Sequence, residues 1–185
     1  MRHRVFFTLI ALVILPACQT LAQNEAGPPV IAVTDSVTIV TASITGKAGD
    51  EIGQVRLIEG PNGVILRAEF AATALPSGWH GLHLHQVGDC TDLGVFKRSG
   101  GHVGKIEGGH GLLNPKGPES GDMPNLYIGP DGGGAMEALL LIESVNTLLD
   151  ADGSALIVHE KADDHITQPI GGAGARIACA VIQAP

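Results

Sequence analysis

Residues 53–72, GQVRLIEGPNGVILRAEFAA, constrain the fold more than any other stretch of the chain. Val55 and Leu57 alternate with other residues before a GPNG turn, and Val64, Leu66, Ala68 and Phe70 alternate after it. Alternation at period two puts each set on one face of a strand, and the turn lays the second strand antiparallel to the first. Such a hairpin has one apolar face, which must find a layer to cover it. The same strand-like texture recurs in SVTIVTASI, GWHGLHLHQV, AMEALLLIES, SALIVHEK and ARIACAVIQ. Of these, MEALLLIES suits a helix equally well on propensity. Between Gly88 and Gly134 the sequence is Gly, Pro and Asp with little periodicity, and a loop that long is usually functional or held by a ligand. Six or seven strands with a large loop, in a chain of 185 residues with 26 Gly and 3% aromatics, fit one antiparallel β-sandwich or barrel.

The N-terminus reads differently. MRHR is a basic segment, and VFFTLIALVIL is an apolar run too short to span a bilayer. Together they read as an export signal over residues 1–17. LPAC, Leu15 to Cys18, resembles the bacterial lipoprotein box, which implies lipid on Cys18 and an anchor at a membrane surface. Gln19 is compatible with sorting to the outer membrane, so the expected location is the periplasmic face of a bacterial membrane. Residues 18–29 then form a polar tether, and residues 30–185 the folded domain.

Three cysteines are an odd number for an exported protein. With Cys18 lipidated, Cys90 and Cys179 remain, and an oxidising compartment favours their pairing. Loss of residues 1–17 removes Arg2 and Arg4, leaving 9 basic residues against 19 acidic, near −10. That charge argues against nucleic acid as a partner.

Eight histidines are the chemical signal. His3 leaves with the export signal, and His165, in the polar run DDHITQ, reads as a surface residue. His83 and His85, two apart in HLH, point to one face of a strand. His159 ends an apolar run, and His102 and His110 each follow a pair of glycines in the long loop, ahead of Asp122. Imidazole suits copper and zinc, and a carboxylate is common at zinc. The competing reading is scattered surface histidines, with His80 and His83 in the core.

From about Val37 to Ile182 the chain resembles the copper/zinc superoxide dismutases of the bacterial exported type. The matching blocks are GWHGLHLHQVGDC, FKRSGGH, HGLLNPKGP, GDMPNLYIGPDG, IVHEKADD and TQPIGGAGARIACAVI, in the family order. The family spacing from the bridging histidine to the zinc ligands, +8, +17 and +20, lands on His110, Glu119 and Asp122 when counted from His102. The resemblance implies an all-β fold, an eight-stranded Greek-key barrel or sandwich with long metal-binding and active-site loops. It implies copper held by His83, His85, His102 and His159, and zinc held by His102, His110 and Asp122. Glu119 stands where the family has histidine, and can ligate zinc through oxygen. Asp163 matches the carboxylate linking the two sites, Arg176 the arginine beside copper, Cys90 and Cys179 the family disulfide, and His80 a structural histidine.

The implied activity is conversion of superoxide to oxygen and hydrogen peroxide by cycling between Cu(II) and Cu(I), with zinc placing and tuning His102. Arg176 and the metal ions, with Lys161 close in sequence to His159, would offset the negative charge of the chain locally. The alternative is a copper-binding or copper-carrier module without turnover, its zinc site impaired by Glu119; a zinc hydrolase is a third, weaker reading. The family uses several oligomeric states, so a homodimer stays open.

Overall fold

The computed structural model describes residues 38–184; the expected export signal, lipidation at Cys18 and tether fall outside the described residues. The expected hairpin forms from β2 (Glu51–Gly60) and β3 (Gly63–Phe70), preceded by β1 (Thr38–Gly46). Val55, Leu57, Val64, Leu66, Ala68 and Phe70 are all buried, as their alternation requires. After β4 (Gly78–His80), β5 (Leu82–His85), β6 (Leu126–Ile128) and β7 (Gly134–Leu139) come β8 (Ser154–His159) and β9 (Arg176–Ile182). Seven of them form one antiparallel sheet in the order β5-β8-β9-β1-β2-β3-β7, and β4 pairs with β6 in a separate ribbon. The only helical segments among the described residues are two 3-10 turns, at Lys97–Ser99 and Val145–Leu148. No helix there is long and apolar enough to cross a membrane.

GWHGLHLH, one strand by its pattern, is two strands broken at Gly81. The first half pairs with β6 and the second with β8. The stretch GAMEAL is a strand, because β3 offers it an edge from Ile65 to Phe70.

The strand β5 shows why the histidines face where they do. Leu82 and Leu84 enter the main core, so His83 and His85 must lie on the opposite face. A slip of one residue would drive both imidazoles into that core. The outer face is covered by the long loop, which hydrogen-bonds back onto the strand: Leu84 N–H donates to Gly121 O, and Val103 N–H donates to Leu84 O, each at 2.9 Å. The approach is close enough that a Cβ on Gly121 would lie 2.3 Å from Leu84 O. The same covering explains β8, which is buried throughout. Leu156 and Val158 face the main core, while Ala155 and Ile157 pack with Phe96 and Cys179 in a smaller outer cluster.

Trp79 and Tyr127, across the β4–β6 ribbon, are 59% and 48% exposed with ring centroids 5.0 Å apart. This aromatic pair is invisible in sequence, where the two residues are 48 positions apart.

Candidate metal centre

The ends of β5 and β8 bring His83, His85 and His159 together, and isolated bridges set His102 opposite His85 and Asp122 opposite His83. All four imidazoles are buried. Each of His83, His85 and His159 commits one ring nitrogen to an acceptor. His83 Nε2–H donates to Asp163 Oδ2 at 2.7 Å, His85 Nδ1–H to Gly100 O at 2.9 Å, and His159 Nδ1–H to Gly174 O at 3.1 Å. Carboxylates and carbonyls only accept, so the other nitrogen of each neutral ring carries a lone pair. Those nitrogens, His83 Nδ1, His85 Nε2 and His159 Nε2, are buried without a hydrogen-bond partner, as is His102 Nε2. Four unpaired polar atoms would be costly unless something binds them. Potential ligand atoms of His83, His85 and His159 lie within 4.8 Å of one another, and the His83 and His102 ring centroids are 4.3 Å apart. Soft or borderline metals that favour imidazole, copper and zinc among them, fit this donor set.

Burial depresses the basicity of these rings, the partial gain from their acceptors notwithstanding. It holds His83 down to about 4 and His159 to about 3, and it puts His85, beside the Arg176 charge, well below the ordinary histidine value. They are neutral near pH 7, the form that binds metal.

A second group joins His102, His110 and Asp122 on the loop side, again with potential ligand atoms within 4.8 Å and with His83 among them. His102 Nδ1 stands 2.8 Å from Glu119 Oε2 and 3.2 Å from Asp122 Oδ1. His110 donates from Nδ1 to Asp122 Oδ1 at 2.8 Å and from Nε2 to Asp163 Oδ1 at 3.2 Å. Burial opposes charge on His110, but the two carboxylates outweigh it and raise the ring to about 10. Asp122 and Asp163 sit well below the usual carboxylate range: burial opposes this, and the histidine and backbone N–H groups overcome it. Glu119 is buried beside the group, its Oε1 accepting from Ile106 N–H at 3.0 Å.

Asp163 therefore joins His83 to His110. Arg176, opposite His159 across β8 and β9, donates from Nη1 to Phe96 O (2.7 Å) and Ser99 Oγ (2.8 Å), and from Nη2 to Gly100 O (2.8 Å). Gly100 O also receives His85 Nδ1–H, so one carbonyl ties the arginine to a ring of the cluster. A cleft of about 220 Å³ opens onto His85 and His102 with Lys105 and Arg176 in its wall. A second, of about 300 Å³, meets His159 with Lys97 and Arg176. Cys90 and Cys179 are disulfide-bonded across 89 positions.

His80 is the structural histidine that the resemblance implies: it is buried between carbonyls, Nδ1 2.8 Å from His159 O and Nε2 2.8 Å from Pro76 O, and supports the site without joining it. His165, expected at the surface, turns back against Asp163, its Nδ1 3.6 Å from Asp163 Oδ2. A left-handed backbone at His165 redirects the ring, and the polar run around it hides this.

In an all-β chain, two buried ligand groups that share His83 and lie beside a tethered arginine form a centre with room for two metal ions. The Copper/zinc superoxide dismutase (SODC) family profile matches residues 51–182. The chain is 45% identical over 152 residues to a copper-zinc superoxide dismutase of Caulobacter vibrioides, covering 77% of this chain and 86% of that protein. It is 37% identical over 147 residues to copper-zinc superoxide dismutase 1 of Aquifex aeolicus, covering 77% and 86%. Among solved structures, a SOD-like protein from Bacillus subtilis superposes with TM-score 0.70 at 30% identity, covering 80% of this chain and 99% of that one. The Cu/Zn superoxide dismutase of Brucella abortus gives 0.64 at 27% identity, covering 78% and 99%. The chain belongs to the copper/zinc superoxide dismutase family. It is an oxidoreductase with copper and zinc as cofactors and superoxide as substrate.

Proposed function

We propose that copper is held by His83 Nδ1, His85 Nε2, His102 Nε2 and His159 Nε2. The observation that carries this is the set of four buried nitrogens left without partners. Zinc is held by His102 and His110 through Nδ1, by Asp122, and by Glu119 as fourth donor beside His102 Nδ1. Bound there, copper supplies the one-electron exchange that dismutation needs, and redox-inert zinc supplies fixed positive charge.

The chain's own residues do the rest. Arg176 attracts the anion, and its three acceptors hold it at the cleft. Asp163, Gly100 and Gly174 fix the tautomers of the three non-bridging rings. His102 Nε2 is the nitrogen that can hold a proton for the product. The local cations Arg176, Lys97 and Lys105 oppose the repulsion from a chain of net charge −8.

Arg176→Ala is expected to lower kcat/KM by about tenfold or more and to flatten its salt dependence while copper stays bound. Arg176→Lys keeps a charge but not the fork to three acceptors, and recovers part of the salt dependence. If Arg176→Ala leaves both rate and salt dependence at wild-type values, the arginine is not the guide.

Metal loading has a proton signature. Metal-free His110 holds an extra proton at every pH below about 10, and zinc binding displaces it. Zinc affinity therefore rises with pH, by about tenfold per unit near neutrality for one proton released. At pH 5.5, three ordinary histidines, with values near 6.5, would each release most of a proton to copper. Here His83, His85 and His159 are already neutral. Copper loading at that pH therefore draws no proton from these three rings. Titration calorimetry in buffers of different ionisation heat counts these protons; release of several by copper at pH 5.5 contradicts the assignment.

At the N-terminus the proposal is export by residues 1–17, lipid on Cys18, a tether through residue 29 and a dismutase domain over 30–185. The basic–apolar pattern and the LPAC box support it, and Gln19 supports the outer membrane. Cys18→Ser is expected to move dismutase activity from the membrane to the soluble fraction; activity that stays with membranes argues against the anchor. A homodimer has a surface available in the exposed Trp79–Tyr127 pair.

A further inference from the structure

Outside the proposed ligands, one more ring nitrogen is buried without a hydrogen-bond partner: His165 Nδ1. The backbone is left-handed at His165, with φ 63°. That turn brings the residue's own N–H onto Asp163 Oδ1 at 2.6 Å and its ring to 3.6 Å from Asp163 Oδ2. The neighbours set the tautomer. Asp163 N–H donates to Asn125 Oδ1 at 2.8 Å. The other end of that amide, Nδ2, donates to Asp163 O at 2.8 Å and to His165 Nε2 at 3.1 Å. A ring nitrogen that accepts carries no proton, so the neutral ring has its proton on Nδ1, facing Asp163 Oδ2. That oxygen is the one that receives His83 Nε2–H. The carboxylate has nowhere to retreat: a Cβ on Gly171, at φ 60°, would lie 1.5 Å from Oδ1.

We propose that His165 is a positioning residue: its Nδ1–H holds the Asp163 carboxylate and weakens the pull of Oδ2 on the His83 Nε2 proton. At 3.6 Å the contact is electrostatic and too long for a hydrogen bond; the carboxylate end is fully buried and the ring is 19% exposed, so water screens it only in part. A carboxylate behind a ligand histidine makes that ligand more basic and favours the more highly charged metal state. The His165 proton opposes this, and so raises the preference for Cu(I). The inference rests on the assignment of His83 to copper.

His165→Gly deletes the ring and keeps the left-handed backbone, which glycine adopts without steric cost. His165→Asn tolerates the same backbone and can offer an amide N–H close to where Nδ1 stands. In the protein loaded with both metals, the midpoint potential of copper shifts downward in His165→Gly and returns toward wild type in His165→Asn. In the zinc-loaded, copper-free protein, the His83 Nε2–H proton resonance moves downfield in His165→Gly and back in His165→Asn. If either readout stays at its wild-type value in His165→Gly, or if only Tm changes, the inference is overturned. A wild-type protein that takes up no copper overturns the ligand assignment itself, and so is told apart from failure at His165.

Discussion

His159→Ala lowers superoxide dismutation by more than about 100-fold, beyond the range for losing a mere orienting partner of a metal ligand. The zinc content and the fold stay near wild type. The fold survives because the backbone of His159 does its work without the side chain. Its N–H donates to Gly81 O at 2.8 Å, and its carbonyl faces His80 Nδ1 at 2.8 Å. The metal-free protein loses the hydrogen bond to Gly174 O, about 1 kcal/mol, together with the packing of one buried ring. The site, in contrast, loses one of four converging nitrogens and opens the 300 Å³ cleft that His159 helps to wall. The His110–Asp122 side of the centre does not touch this change. Metal analysis and a superoxide-consumption assay on the same preparation read both halves of the expectation. Wild-type turnover with full copper in His159→Ala would remove this ring from the site.

Replacing both Cys90 and Cys179 with alanine costs about 2–5 kcal/mol, the usual range for a native disulfide. For a domain of this size that lowers Tm by roughly 10 °C. The bond closes a loop of 89 positions, where the chain-entropy effect is large. Cys179 also sits fully buried with Phe96, Ala155 and Ile157, so the double variant loses packing in the outer cluster as well. The consequence reaches the metals. The anchored loop carries Phe96, Ser99 and Gly100, which hold Arg176, and Gly100 O also orients His85. Copper is therefore expected to bind more weakly in the double variant, with zinc affected less. A thermal scan with metal titration checks this; an unchanged Tm would show that the loop is held without the bond.

The proposed ligands were legible because they are named side chains at fixed intervals. His83 and His85 announce themselves through the HLH alternation, and the resemblance to the family, whose spacing of +8, +17 and +20 is counted from His102, implies the loop residues. The hairpin of β2 and β3 was equally plain, because alternation writes burial into the sequence. What stayed hidden depends on backbone. The carbonyls of Gly100 and Gly174 fix the tautomers of His85 and His159, yet any residue type supplies a carbonyl. The break at Gly81 follows from pairing partners far along the chain, and β6 is only three residues long within a glycine-rich stretch. His165 keeps part of the exposure its polar neighbours predict, but a left-handed backbone turns its ring toward Asp163, which the sequence does not reveal. Lys105 and Lys97 reach the clefts through loop geometry, and their spacing from any histidine gives no sign of it.

The most direct test is anomalous diffraction at the copper and zinc edges from crystals of the protein loaded with both metals. The expected result is a copper peak about 2 Å from His83 Nδ1, His85 Nε2, His102 Nε2 and His159 Nε2, with a zinc peak on the Nδ1 side of His102. A copper peak away from those four nitrogens, or His102 bound to neither metal, would contradict the assignment.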